Sequence, residues 1–195
     1  TDLPIGSPKG PGADMGAWQK WPDSLVSVYP HSVKTTSEVG DAVGVYREIL
    51  AEKPDKSVTI VTVGFLTNLA GLLRSGPDIH SPLSGAELVS EKVKLLVSMA
   101  GRFPEGKEFN IYIDSVSSKY VFENWPGEII FSGFEIGWEI RTGLRLIESP
   151  VKNSPVKDVF RISIPMAEED KYGRMSWDET AVLIGVYGTE GFFDT

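Results

Sequence analysis

Val58 to Leu73 reads VTIVTVGFLTNLAGLL, and its two halves obey different rules. Val58 to Val63 is β-branched at every position, a composition that suits a strand covered on both faces. Gly64 breaks it. Beyond the glycine, Leu66, Leu69, Ala70, Leu72 and Leu73 recur at helical spacing. A strand that passes through a glycine into a helix is half of a parallel crossover.

The flanking sequence repeats this alternation. Upstream, Val39, Ala42, Val43, Tyr46, Ile49 and Leu50 predict a helix, with Thr35 and Glu38 spaced as a capping box and Asp55-Lys56 closing it. Residues 6–33 are rich in Gly and Pro but carry Trp18, Trp21 and Tyr29, which reads as a long ordered loop rather than a linker. Downstream, a helix is predicted from Ser84, with Glu87 three residues on, and then a strand from Lys94 to Met99 (KLLVSM). A glycine-bearing turn from Gly101 to Gly106 precedes Glu108 to Asp114 (EFNIYID), read as extended. A helix over Ser115 to Trp125, a strand over Glu128 to Phe131 and a helix over Phe134 to Ile147 follow. The last helix starts at Ser176 and runs through Ala181, Val182, Ile184 and Gly185. The expectation is one α/β domain over residues 1–195, a mainly parallel sheet with helices on both faces. Its strands at 58–63, 94–99 and 128–131 should be parallel neighbours.

Bulk properties narrow the function. At 195 residues the chain suits one domain with a sizeable core. Its formal charge of −8 argues against nucleic acid, which needs a basic surface. With 41% hydrophobic residues and no long unpunctuated apolar run, no membrane span is expected. The absence of cysteine excludes disulfides, thiolate metal sites and a cysteine nucleophile. Thr1 to Gly6 lacks the basic flank and apolar core of a signal peptide, and nothing assigns a location. Assembly into a homo-oligomer is left open. In parallel sheets ligands sit beyond the carboxyl ends of the strands, which directs attention to Val63, to Met99 and to the helix start at Ser176.

Three segments at those places carry a resemblance. VTIVTVGFLTNLAGLL is similar to the strand–Gly-x-Leu-Thr-Asn–helix element of the nucleoside hydrolases. Met99 to Asp114, MAGRFPEGKEFNIYID, resembles their Met-Gly-Gly…Glu-Phe-Asn…Asp stretch, which lines the ribose pocket. Ser176 to Leu183, SWDETAVL, resembles the late segment that supplies a metal-binding aspartate. The order and spacing of the three make the combination specific. The resemblance implies calcium-dependent hydrolysis of the N-glycosidic bond of ribonucleosides, small-molecule substrates of purine metabolism among them. The rival from another class is a non-catalytic nucleoside- or sugar-binding protein of the same fold. The family also opens with an aspartate-rich cluster that binds the ion and supplies the general base, and no Asp-x-Asp-x-x-x-Asp-Asp pattern occurs here. The expectation is therefore that the chain enters the fold after its first strands and leaves it before the final helices, with the general base outside these residues.

Residue by residue, the resemblance implies that Asp178 and the backbone carbonyl of Val63 are calcium ligands. The competing reading of Asp178 is a first-turn acid beside a Ser176–Glu179 capping box; that of Val63 is an ordinary strand residue. Glu108 and Asn110 lie two apart, so on an extended segment both face one side and clamp sugar hydroxyls, whereas the competing reading is a solvated strand edge. Met99 packs on the sugar or simply in the core. Trp177 stands where many family members carry a histidine thought to protonate the departing base. An indole is no acid at neutral pH, which leaves stacking on a purine or filling space. Thr67 and Asn68 are read as helix-start residues satisfying exposed amides, and Asp114 as a helix cap. His80 is read as part of a surface turn, and His31, Trp18 and Trp21 as parts of a loop able to fold over the base.

Overall fold

The computed structural model describes residues 3–10, 12 and 21–193. β1 (Gly6–Ser7) and β2 (Gly40–Asp41) form a short parallel bridge, with α1 (Trp21–Val28) between them in sequence. α2 (Ala42–Glu52) precedes β3 (Val58–Thr62), and α3 (Thr67–Arg74) and α4 (Gly85–Lys92) precede β4 (Val93–Met99). α5 (Phe109–Ile113) and α6 (Ser115–Asn124) lead to β5 (Ile129–Ser132). β4 lies between β3 and β5, with Ile60 opposite Leu96 and Val97 opposite Ile130, and both pairings are parallel. The three β-branched or apolar runs are therefore the parallel neighbours expected, each reached through helical crossovers.

Beyond β5 come α7 (Phe134–Glu139), β6 (Arg141–Thr142), α8 (Leu144–Glu148), α9 (Pro155–Ser163), β7 (Arg174–Met175) and α10 (Trp177–Tyr187). On one face of the sheet, α2, α3, α4 and α6 bury Leu50, Leu69, Leu72, Leu88 and Val121 against Ile60 and Leu96. On the other, α10 sets Ala181 and Ile184 against Val97 and Met99. Leu72, Leu96, Val97 and Val121 have no exposed surface, and burying a side chain of this size stabilises the fold by about 1.5–3 kcal/mol. Among the described residues no helix is long and apolar enough to cross a membrane.

Five local expectations are corrected. The helix expected from Thr35 begins at Ala42, because Asp41 accepts from the Gly44 amide and Gly40–Asp41 are held in the bridge to β1. Thr35 and Glu38 meet side chain to side chain at 3.3 Å around a 3-10 turn instead of capping a helix. The loop read over 6–33 contains α1, which packs on α9 through a Tyr29 hydroxyl that donates to Asp158 at 2.8 Å. Glu108 to Asp114 is not extended. The Glu108 carboxylate accepts from the amides of Asn110 and Ile111 and so starts α5. The helix expected over Phe134 to Ile147 breaks at β6, which pairs antiparallel with β7. There Gly143 takes φ +98° with the Phe160 ring 2.6 Å from where a Cβ would stand. The helix read from Ser84 starts there, and Ser84 and Glu87 form a capping box with both reciprocal bonds present. Asp114 caps α6 by accepting from the Ser117 amide.

Candidate functional site

At the carboxyl end of the sheet lies a cleft of about 590 Å³, lined by all six residues singled out from sequence: Val63, Met99, Glu108, Asn110, Trp177 and Asp178. The topology explains the convergence. Val63 follows the last residue of β3, Met99 is the last residue of β4, and the first turn of α10 is brought over these strand ends by its packing on Val97 and Met99.

Glu108 and Asn110 meet the cleft in a different way from the one expected. Glu108 is only 5% exposed, and its two oxygens accept from backbone amides at 2.8 and 3.0 Å. It is a buried helix cap at the cleft wall, not one tooth of an extended clamp. The Asn110 side-chain amide donates to the Met99 carbonyl at 3.3 Å and reaches the Met99 sulfur at 3.5 Å, fixing the end of β4 to the start of α5. Thr67 does not cap α3. Its hydroxyl donates to Asp114 Oδ2 at 2.5 Å, linking the starts of α3 and α6, and α3 has no side-chain cap.

Asp178 lies in the first turn of α10, and the capping box that would explain it is absent. The Ser176 hydroxyl donates to Thr142 at 3.0 Å, and the Thr142 hydroxyl donates in turn to Glu179 at 3.4 Å. Asp178 opens to the cleft, yet protein packed around its carboxyl pushes its pKa up to about 6. Loss of hydration is the largest cause, and the charges of Glu179 and Glu108 add to it against the opposing Arg174. No described residue donates a hydrogen bond to this carboxylate.

The wall beside Asp178 is aromatic. Ring centroids of Phe134 and Trp177 are 5.1 Å apart, those of Phe134 and Trp138 5.5 Å, and those of Trp138 and Trp177 6.4 Å. The Trp177 indole N–H donates to the Phe134 carbonyl at 2.9 Å, so its one donor is committed and only its faces and edges are left for a ligand. Gly137 makes this packing possible, because a Cβ there would stand 2.4 Å from the Trp177 ring and 2.5 Å from its Cα.

Sequence reading missed Phe109, Phe134, Trp138, Glu169, Arg174 and Met175, which also line the cleft. Arg174 donates from Nη1 to both oxygens of Asp170, at 3.1 and 2.9 Å, and Asp170 is fully buried. Its guanidinium stands 5.2 Å from the Trp177 ring centroid. The Asp170/Arg174 spacing was the available signal, but four residues between opposite charges reads equally as a solvated surface pair. Of the loop residues expected near the base, Trp21 borders a second cavity of about 240 Å³ that shares Arg174, Trp177 and Asp178 with the cleft. His31 is exposed and its ring nitrogen meets the Tyr29 carbonyl at 3.1 Å, while Trp18 lies outside the described residues. His80 sits in the turn where its amide donates to Asp78.

Calcium favours carboxylate and carbonyl oxygens and takes roughly six to eight of them. Asp178 and the Val63 carbonyl are of the right kind, and the carboxylates of Glu108 and Glu179 make the surroundings of Asp178 attractive to a cation. They are too few for a complete shell. Among the described residues no group of three or more His, Asp or Glu side chains converges as a metal site.

Comparison with known proteins finds the same fold and one family. The family model described as inosine-uridine preferring nucleoside hydrolase matches residues 10–187. The chain is 30% identical over 95 residues to a pyrimidine-specific ribonucleoside hydrolase, RihA, of Salmonella newport, a match covering 49% of this chain and 28% of that protein. It is 26% identical over 125 residues to RihA of Escherichia coli O1:K1, covering 61% of this chain and 38% of that one. Among solved structures it is similar in fold to a plant nucleoside hydrolase, the PpNRh1 enzyme, with a TM-score of 0.59 at 21% identity over 85% of this chain and 52% of the other. The chain thus spans about a third of the length of the curated relatives it matches.

Proposed function

The chain belongs to the inosine-uridine preferring nucleoside hydrolase family, and we propose that its protein hydrolyses the N-glycosidic bond of ribonucleosides to ribose and free base with the help of calcium. The observation that carries this reading is the convergence of Val63, Met99, Glu108, Asn110, Trp177 and Asp178 on one cleft at the carboxyl ends of three parallel strands. A cleft of about 590 Å³ is the size of a small-molecule site.

The residues divide the work. Asn110 and the wall formed by Met99 and Glu108 face the sugar, with Glu108 holding the turn that presents Asn110. Phe134, Trp138 and Trp177 offer flat apolar surface to a planar base. Asp178 and the Val63 carbonyl would hold part of the calcium shell. When bound, calcium supplies acidity to a coordinated water and coordination to sugar hydroxyls. C–N cleavage develops positive charge on the ribose ring, which a site walled by Glu108 and Asp178 favours.

The test is incubation of the intact protein with inosine and with uridine, with calcium and with a chelator, following released base by absorbance and reducing sugar by colour. The expected result is stoichiometric ribose and base that depend on calcium. Tight nucleoside binding without turnover would instead mark the protein as a nucleoside-binding member of its fold.

A further inference from the structure

We propose that Arg174 is the group that meets the base as it leaves, an inference that rests on the ribonucleoside-hydrolysis reading above. Hydrolysis breaks the C1′–N bond and leaves its electron pair on the base. The water oxygen bonds to C1′, and the proton the water gives up ends on the base. Until that proton arrives the base carries negative charge, and N–H donors fixed beside it lower the barrier without surrendering a proton of their own.

Arg174 has the donors, the charge and the rigidity for this. Among the described residues lining the cleft it is the one cation, facing Glu108, Glu169 and Asp178. Of the neutral side-chain donors there, the Trp177 N–H is committed to the Phe134 carbonyl and the Asn110 amide to Met99, while the Trp138 indole N–H carries no charge and belongs to a half-open side chain at the mouth. Arg174 uses Nη1 alone, on Asp170, and its Nε and Nη2 protons have no acceptor among the described residues. A guanidinium keeps its charge throughout the physiological range and presents its donors in a fixed planar fork. Here the fork is held twice, by a fully buried carboxylate and by the face of Trp177 at 5.2 Å. Trp177 belongs to the aromatic wall on which a planar base would lie, so a donor seated on that ring stands at the edge of the base. Arg174 also borders the smaller cavity beside Trp21, which shares the same ring and gives a departing base adjoining space.

The competing role is purely structural, because a buried Asp170 needs a partner whatever the cleft does. Leaving-group dependence separates the two. In the intact protein, kcat/KM is measured for wild type and Arg174→Met on inosine and on p-nitrophenyl ribofuranoside, whose nitrophenolate departs without help, with melting followed by circular dichroism. The expected result is a loss of about 100-fold on inosine and less than about 3-fold on the nitrophenyl riboside. Should Arg174→Met fold poorly, the pair Arg174→Met with Asp170→Asn removes the stranded charge and is read by the same ratio. Equal losses on both substrates overturn the assignment and leave Arg174 structural. An intact wild-type protein that hydrolyses neither substrate overturns the hydrolase reading itself.

Discussion

The Arg47 guanidinium grips Asp78 twice, from Nε at 2.7 Å and from Nη2 at 3.0 Å, although the two residues are 31 positions apart and Arg47 is 2% exposed. The same guanidinium also donates to the Ser75 hydroxyl and to the carbonyls of Ser81 and Leu83. It thereby ties α2 to the connection between α3 and α4, the scaffold behind the first strand of the sheet.

Stability should fall in acid through this pair. The Arg47 bonds, helped by the amides of Ser81 and His80, hold the Asp78 carboxyl well below the usual carboxylate range. A carboxyl whose folded pKa is depressed gives stability that is fully present above its unfolded value, about pH 4, and lost as pH falls toward the folded one. Urea melts on both sides of that value should show the loss, and Asp78→Asn should reduce the slope. Arg47→Ala should cost about 3 kcal/mol at neutral pH, since buried carbonyls lose their donor and a packed side chain is removed.

Asp178→Asn should leave the melting temperature unchanged or slightly raised while weakening calcium binding and turnover together. Packing, Glu179 and Glu108 already penalise the charge of Asp178, so its removal relieves the fold. A calcium ligand would be lost at the same time. Calorimetric calcium titration beside a thermal melt checks both halves, and unchanged calcium affinity would return Asp178 to a first-turn acid.

Glu108 and Asn110 should separate. Glu108→Ala uncaps α5 inside the wall of the cleft, so stability should fall by about 1–2 kcal/mol along with turnover. Asn110→Ala removes a bond at 3.3 Å and a weak sulfur contact at 3.5 Å and should cost under about 1 kcal/mol while reducing kcat/KM on ribonucleosides far more. Paired melts and kinetics decide; matched losses for Asn110→Ala would make it structural.

Gly137→Ala should drive α7 from α10, because the added methyl would lie 2.5 Å from the Trp177 Cα, where no side-chain rotation can relieve it. A loss of about 1–3 kcal/mol is expected, the usual range for overpacking, together with a change in tryptophan fluorescence. An unaltered spectrum and melt would contradict the rigid wall described for the cleft.

The parallel sheet was legible because Val58 to Val63 is β-branched throughout and Leu95 to Met99 is mostly apolar, and both runs carry their structure in composition. The segments misread were those in which a side chain or a distant strand decides. Phe109 to Ile113 alternates as a strand would, yet the Glu108 carboxylate folds it into a turn of helix. Phe134 to Ile147 keeps helical spacing, yet β7, more than thirty residues later, pulls Arg141–Thr142 into a strand pair. The six cleft residues were found through the order of three motifs. Arg174 carries only an ambiguous spacing to Asp170, and Phe134 and Trp138 carry no local signature, since their meaning lies in Asp170, Gly137 and Trp177 coming together in space.

The division of the cleft between walls that the fold needs and a rim that it does not sets where this lineage is free to change. Met99, Glu108 and Met175 are buried, so drift at those positions meets a folding penalty before any change of ligand is felt. Trp138 and Glu169 are exposed at the mouth of the same cleft. Substitution there alters what enters while the sheet stays untouched, which is how a scaffold takes on new ligands without first losing its shape. Selection for a different base should leave its first marks at Trp138 and Glu169.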